Sequence, residues 1–454
     1  MSATIQFIGA TGTVTGSKYL VTFGKHHYMV DCGLFQGLKV LRQRNWHALP
    51  IQANRIDSVV LTHAHIDHTG YLPLLVKSGF RGPVYATPAT KALCGVLLPD
   101  SGHLQEEDAD FANRHHFSKH KPALPLYTEE DARASLEYFK SVAFQKKVDL
   151  SRHVSFQFLP AGHILGSAVV QFMISGRTLT FSGDLGRPHS DIMKPPAFVR
   201  ETDYLVVEST YGDRCHPHED PKAIIKELIH KTIERRGTVL IPAFAVGRAQ
   251  QVLFILKELK ERGELPNVPI YVNSPMATEA THIFRDLSGD LAISKEEFQQ
   301  LFQIAQFVTT VEESKRVATT DEPCIIISAS GMATGGRVLH HLKFLAPNPK
   351  NLILFVGFQA AGTRGEAIMD GAEEIKIHGT KFPVNAEVKL IDTLSAHADA
   401  DEILGWLRKF SHPPKMTFIT HGEPLAAEAL RKRIEEDLHW QCEVPDYLET
   451  FELA

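Results

Sequence analysis

The sequence predicts an α/β protein of two lobes, one interrupted in the chain by the other. Three observations carry this. Up to Glu208, apolar β-branched runs alternate with glycine-rich turns, and five of them end in an acid or a histidine: Asp31, His63, His163, Asp184 and Glu208. From residue 209, apolar strands alternate with amphipathic helices, the signature of a mostly parallel sheet wrapped by helices. Beyond residue 384 the first pattern returns, with His397 and His421 each after an apolar run. The expected division is 1–208 and 385–454 for one lobe and 209–384 for the inserted one.

In order, ATIQFIGA, SKYLVTF and HHYMVDCG read as strands, and SVVLT as a buried strand opening into LTHAHIDHTG. A helix is expected over 73–78, then the strand PVYAT. Residues 99–147 turn polar and helical, with Thr128 capping EEDARASLEYFKSVAF and acids in its first turn. The histidines there, His103, His115, His116 and His120, read as solvated. SFQFLPAGHILGSAVVQFMI, RTLTFSGDLG and DYLVVE restore strands, and their polar ends are expected on one sheet edge. In the inserted lobe Asp220 and Pro221 form an N-cap and N1 pair for a helix stopped by Gly237, and four further strands alternate with helices. Asp399 or Asp401 can cap the helix after His397.

Composition narrows the class. With 43% hydrophobic and 22% charged residues in 454, the chain is that of a globular protein able to bury a core. A net charge of −5 argues against coating nucleic acid through bulk charge, and 21 Lys and Arg against 23 Asp and Glu over 209–394 leave the inserted lobe no more basic. Five scattered cysteines without a C-x-x-C pair suit a reducing compartment. With no signal-peptide pattern and no long apolar span, the protein is expected to be cytoplasmic and without a membrane partner.

The chemistry concentrates in LTHAHIDHTG, where His63, His65, Asp67 and His68 fall within six residues of a strand end. Neutral imidazole and carboxylate are ligands that zinc takes. His63 and His65 can share one metal while Asp67 and His68 turn toward a second. With His163, Asp184 and His421 these make seven candidate ligands, enough for two zinc ions per chain if Asp184 bridges; iron and manganese suit the same donors. Two metals about 3.5 to 4 Å apart can hold a hydroxide near neutral pH and stabilise charge on a substrate oxygen, which is hydrolytic chemistry. Taken alone, Asp31 serves either a turn or the site, and His397 is as readily a helix-terminal histidine. At Ser328–Met332 (SASGM), Ser330 and Gly331 sit either in a phosphate-positioning turn or in one chosen for its geometry alone. Arg248 and Arg364 are either backbone-binding or ordinary surface or interlobe arginines.

HAHIDH with Asp31, His163, Asp184 and the late THGE resembles the metallo-β-lactamase superfamily. VVESTYGDR, SASGM, GFQAAGTRGE and SAHAD resemble its β-CASP branch of nucleic-acid-processing nucleases, which includes the cleavage and polyadenylation endonuclease; the likeness spans nearly the whole chain. The resemblance implies an αββα sandwich carrying an inserted α/β lobe. It implies that His63, His65 and His163 hold one zinc, that Asp67, His68 and His421 hold the other, and that Asp184 bridges. It makes Asp31 an orienting residue and Glu208 with His397 a general-acid pair; Asp67 and Asp184 join them as catalytic. Because RNA-cutting members have histidine where this chain has His421, it implies a ribonuclease acting on single-stranded RNA, leaving 5′ phosphates, endonucleolytic rather than 5′-exonucleolytic; a homodimer is compatible. A small-molecule ester or thioester hydrolase, or a DNA-directed nuclease of the same family, is the alternative.

Overall fold

The computed structural model describes residues 2–116, 118–217 and 219–454. The chain divides into two compact units, one of residues 1–215 and 397–454, the other of 216–396.

The first unit holds two seven-stranded sheets. One runs in the order Thr450–Leu453, Ala3–Phe7, Tyr19–Phe23, His26–Val30, Ser58–Val60, Val84–Ala86, Phe139–Ser141. The other runs Cys442–Glu443, Met416–Thr420, Tyr204–Glu208, Arg177–Phe181, Ala168–Ile174, Val154–Pro160, Val148–Ser151. Alternating inward residues of both sheets share one core, in which Phe7, Tyr19 and Tyr28 of the first meet Phe156, Phe172 and Phe181 of the second. Removing each such ring from water contributes roughly 1.5–3 kcal/mol. A second core lies on the other face of the second sheet, where Leu205, Val207 and Ile419 pack on Ile403, Leu407, Leu430 and Ile434 of two helices, Ala400–Leu407 and Pro424–Leu438. Tyr204–Glu208 is buried at every position because both its faces and both its edges are covered.

Strand direction delivers the polar residues to a common end. His26–Val30 and Ser58–Val60 are parallel, so Asp31 and His63 emerge together. Arg177–Phe181, Tyr204–Glu208 and Met416–Thr420 are also parallel to one another, and two antiparallel pairings give Val154–Pro160 the same direction. The ligand-bearing ends therefore belong to two sheets, not to one edge as expected. A single sheet would have left them in a row; two sheets let them converge.

Helix boundaries differ from the sequence reading in one region. Thr128 does cap a helix, closing a capping box with Asp131, but that helix is only Glu129–Ser135. A 3-10 turn and the strand Phe139–Ser141 follow, because Phe139 pairs beside Val84 and its ring is buried. The polar stretch before it belongs to the long helix Pro88–Arg114, which runs through Pro99.

The second unit is built on a six-stranded parallel sheet, Gln306–Phe307, Ile270–Val272, Ile325–Ser328, Val239–Pro242, Leu352–Phe355, Glu387–Leu390, with a separate hairpin of Glu374–Ile377 and Thr380–Pro383. Its central strands are wholly buried. Asp220 caps the helix Pro221–Glu234 with Pro221 in its first turn.

Candidate metal centre

Seven side chains of the first unit meet at the strand ends. His63 Nε2 and His163 Nε2 lie 3.1 and 3.2 Å from His65 Nδ1, and 3.4 and 3.5 Å from Asp184 Oδ2. Beside this group, His421 Nε2 is 3.1 Å from His68 Nε2 and 3.3 Å from Asp67 Oδ2. Asp184 Oδ1 is 3.3 Å from His68 Nε2. One carboxylate thus turns one oxygen to each set.

The donor set fits metal ions on physical grounds. Burial pushes His63 down to about 3 and His65 down to about 4, and holds His163 well below the usual histidine range. These rings are neutral near pH 7, the form that ligates. His63, His65, His163 and Asp184 each offer one ligand atom, all within 4.8 Å of one another, so one cation can meet all four. Asp184 Oδ1 is buried without a hydrogen-bond donor, a costly state for a carboxylate oxygen that a cation resolves. Around His68, burial opposes a positive charge, yet Asp184, Asp31 and Asp67 together raise its pKa well above the ordinary value. The field there favours a cation.

Asp31 is hydrogen-bonded to one member of this set, His68. Its Oδ2 accepts from His68 Nδ1 at 2.8 Å and from Thr62 Oγ1 at 2.8 Å, and its Oδ1 accepts from the Thr62 backbone N at 2.7 Å. His68 is thereby fixed with Nε2 toward Asp184 and His421. Asp31 has φ +55° and His421 φ +50°, a backbone region uncommon for non-glycine residues that collects at functional sites.

Three stretches of the chain match described families: residues 11–227 the metallo-beta-lactamase superfamily, 249–368 the Beta-Casp domain, and 381–445 the Zn-dependent metallo-hydrolase RNA specificity domain. A ribonuclease of Thermus thermophilus is 35% identical over 93% of this chain and 94% of its own. The chain belongs to the β-CASP branch of the metallo-β-lactamase superfamily. An RNase J-like protein of Methanocaldococcus jannaschii is 29% identical over 92% of each chain. The transcription termination factor FttA of the same organism is 31% identical over 92% of this chain, which spans 67% of the factor. Among solved structures, a protein of unknown function from Enterococcus faecalis aligns over the full length of both chains with TM-score 0.57 and 13% identity, a likeness of fold.

In this β-CASP chain Glu208 and His397 also meet. His397 Nδ1 lies 3.0 Å from Glu208 Oε2 and 3.9 Å from Asp184 Oδ2. Burial opposes protonation of His397, but Glu208 and then Asp184 outweigh it and raise its pKa. Glu208 is itself held, its Oε1 accepting from the Leu185 backbone N at 2.5 Å and its Oε2 from Thr210 Oγ1 at 2.6 Å.

Two residues that the sequence reading passed over stand out, Thr210 within the site and Lys18 beneath the turn that follows Asp31. Thr210 Oγ1 lies 3.1 Å from His421 Nδ1, so one hydroxyl joins a ligand of the centre to the Glu208–His397 pair. Lys18 is buried, its Nζ donating to the Gly33 carbonyl at 2.5 Å and lying 4.5 and 4.9 Å from the ring centroids of Phe35 and Tyr71; burial pushes its pKa down to about 8. Gly33 runs so close to the metal loop that a Cβ on it would sit 1.5 Å from the Asp67 carbonyl. Nothing in the local pattern SKYLVTF marks that lysine as buried.

The other candidates lie in the second unit. The Arg364 guanidinium is spent on backbone, donating to the Ala333 carbonyl and, at 3.1 and 3.0 Å, to the Lys376 carbonyl. Arg248 is buried, with Nη1 donating to Gln251 Oε1 at 2.6 Å, so neither is an ordinary surface arginine. Ser330 Oγ accepts from the Thr334 backbone N at 3.1 Å, and Gly331 packs where a Cβ would meet Phe244.

Proposed function

We propose that this protein is a metal-dependent ribonuclease that hydrolyses phosphodiester bonds of single-stranded RNA. The observation carrying it is Asp184, which faces His63 and His163 with one oxygen and His68 with the other. On this reading His63, His65 and His163 hold one ion, Asp67, His68 and His421 hold a second, and Asp184 serves both. Zinc is the expected ion; iron and manganese suit the same donors. Bound divalent ions supply Lewis acidity, offsetting charge on a phosphate oxygen and making water acidic enough to attack near neutral pH.

The remaining steps fall to the chain's own groups. Asp31 fixes the His68 tautomer. Glu208 holds His397 through Nδ1, leaving its Nε2 to carry a proton to the departing oxygen. If that oxygen is the 3′ oxygen of the upstream nucleotide, products carry 5′ phosphates. Ser330, Gly331, Arg248 and Arg364 are assigned to phosphate positioning, Arg364 by shaping backbone rather than by direct contact. The ribonuclease of Thermus thermophilus supports RNA as the substrate. Among the described residues no helix is long and apolar enough to cross a membrane.

Incubating the protein with a circular RNA, beside a linear one labelled at its 5′ end, tests this. Cutting of the circle with 5′-phosphate ends supports the endonucleolytic reading. A folded His397→Ala protein cleaving at the parental rate would remove the proton-donor assignment.

A further inference from the structure

The segment after Asp31 builds a projecting element that the metal centre does not use. Cys32 N donates to the His68 carbonyl at 2.7 Å and Leu34 N to the Ile66 carbonyl at 3.0 Å, so this strand end is laced to the metal loop. Asn45 then clamps the next turn shut, its Oδ1 accepting from Phe35 N at 2.9 Å and its Nδ2 donating to the Phe35 carbonyl at 2.8 Å. Arg44 lies over the rings of Phe35 and Tyr447, 5.5 and 4.2 Å from their centroids. Between the clamp's jaws runs the helix Lys39–Arg44, of which no residue is buried.

A helix with no buried face gains nothing from the core, and here it is fixed from its base. What it displays is unusual for surface. Leu38, Val40 and Trp46 are 45%, 61% and 61% exposed, among cations Lys39 and Arg42. From Cys32 to Ile56 there is no Asp or Glu, and up to residue 99 the chain carries nine Lys and Arg against three Asp, in a protein of net charge −5. Asp108 on the helix Pro88–Arg114 feels the Arg42 charge, but no ion pair joins them. Cations beside an exposed indole form the pairing that takes single-stranded nucleic acid, charge to phosphate and ring to base.

We infer that Lys39, Arg42 and Trp46 form a contact site for the RNA strand outside the metal centre. The inference rests on the ribonuclease reading. Its occupant is single-stranded RNA because the segment from Cys32 to Ile56 carries cations and no acid, and its tryptophan is exposed.

Trp46 makes the test direct. Of the three tryptophans, Trp406 and Trp440 are 5% and 7% exposed, so Trp46 dominates quenching by acrylamide. The metal-loaded protein is titrated with a short single-stranded 2′-O-methyl phosphorothioate oligoribonucleotide, which resists cleavage. Trp46 emission should be quenched and shielded from acrylamide on binding. Trp46→Ala should weaken binding roughly tenfold or more. Lys39→Glu with Arg42→Glu should weaken it further and flatten the dependence of log affinity on log salt by about 0.7 per lost contact. The charge-matched pair Lys146→Glu with Lys147→Glu, exposed elsewhere on the unit, should bind as the parent does. Unperturbed Trp46 emission at saturating oligoribonucleotide, with variants binding like the parent, overturns the site; if that same parent sample cleaves RNA, the ribonuclease reading survives alone. A parent that neither binds nor cleaves RNA defeats both. Trp46 shielded in the free protein and exposed on dilution would show a contact between copies of this chain, also overturning it.

Discussion

His65 of the first unit and His341 of the second share a lowered pKa and differ in what surrounds their nitrogens. Burial pushes His65 down to about 4 in the first unit and His341 down to about 4 in the second. At His341 one ring nitrogen meets a donor, Asn273 Nδ2 donating to its Nε2 at 2.7 Å and to Ser314 Oγ at 3.0 Å, while Asn273 Oδ1 accepts from Arg337 Nη1 at 3.0 Å and His341 Nδ1 is buried without a hydrogen-bond partner among the described residues. Arg337 then donates to the Val308 and Thr309 carbonyls at 3.0 and 2.6 Å. Around His65 the neighbours are nitrogens of the same kind and a carboxylate. A depressed pKa therefore reports burial in both places. What marks one of them as a candidate to take a cation is that His63, His65, His163 and Asp184 offer ligand atoms within 4.8 Å of one another.

The sharpest way to break this contrast is at Asp184. Asp184→Asn keeps the shape and removes the charge shared by the two ligand sets, so metal content should fall and RNA cleavage should drop by about a thousandfold or more. Mass-spectrometric metal analysis beside a single-turnover cleavage assay reads both. His341→Leu should leave both unaltered and change only stability. Full metal occupancy in the Asp184→Asn protein would defeat the assignment.

The second unit's histidine predicts a smaller, pH-dependent effect. The folded pKa of His341, about 4, lies below its unfolded value of about 6.5, so the unfolded state binds more protons between these limits. Stability from this group is complete above pH 6.5 and is lost as pH falls toward 4, amounting to about 2 kcal/mol between pH 7 and pH 5. His341→Leu should remove that slope. Denaturant unfolding of parent and variant at both pH values gives the difference of differences, and equal slopes would show that His341 titrates normally.

How legible these regions were follows from distance along the chain. The α/β class and the strand ends that carry the candidate ligands were readable because each is local: an apolar run, then a polar residue, with glycine nearby. The partition of those ends between two sheets was not, since it depends on which strands pair, and Val154–Pro160 reaches its direction only through two antiparallel neighbours. The helix after Thr128 carried a sound cap but stopped at Ser135, because Phe139 gains more by burial beside Val84 than by another helical turn. Arg364 read as either a contact to the nucleic-acid backbone or an ordinary arginine, and its guanidinium ties down Ala333 and Lys376. Lys18 was invisible because nothing in its own strand says that the rings of Phe35 and Tyr71 will enclose it.

Thr210 was hidden for the same reason, its partner His421 lying 211 residues away, and it offers the finest test. When His421 Nε2 takes a metal, its proton sits on Nδ1 and is donated to Thr210 Oγ1, which donates in turn to Glu208 Oε2. The hydroxyl thereby couples the second ligand set to the carboxylate that holds His397. Thr210→Val preserves shape and branching but leaves His421 Nδ1–H without this acceptor and Glu208 with one donor fewer. Loss of such an orienting bond typically costs about tenfold or more in metal affinity or rate. We expect about tenfold weaker retention of one of two ions on dialysis, about tenfold slower cleavage and a shifted acid limb in the pH–rate profile, all recovered in Thr210→Ser. A purely structural threonine would lower the melting temperature and leave the metal count and the pH profile where they were, and that outcome would separate the two halves of the site that the bond is argued to join.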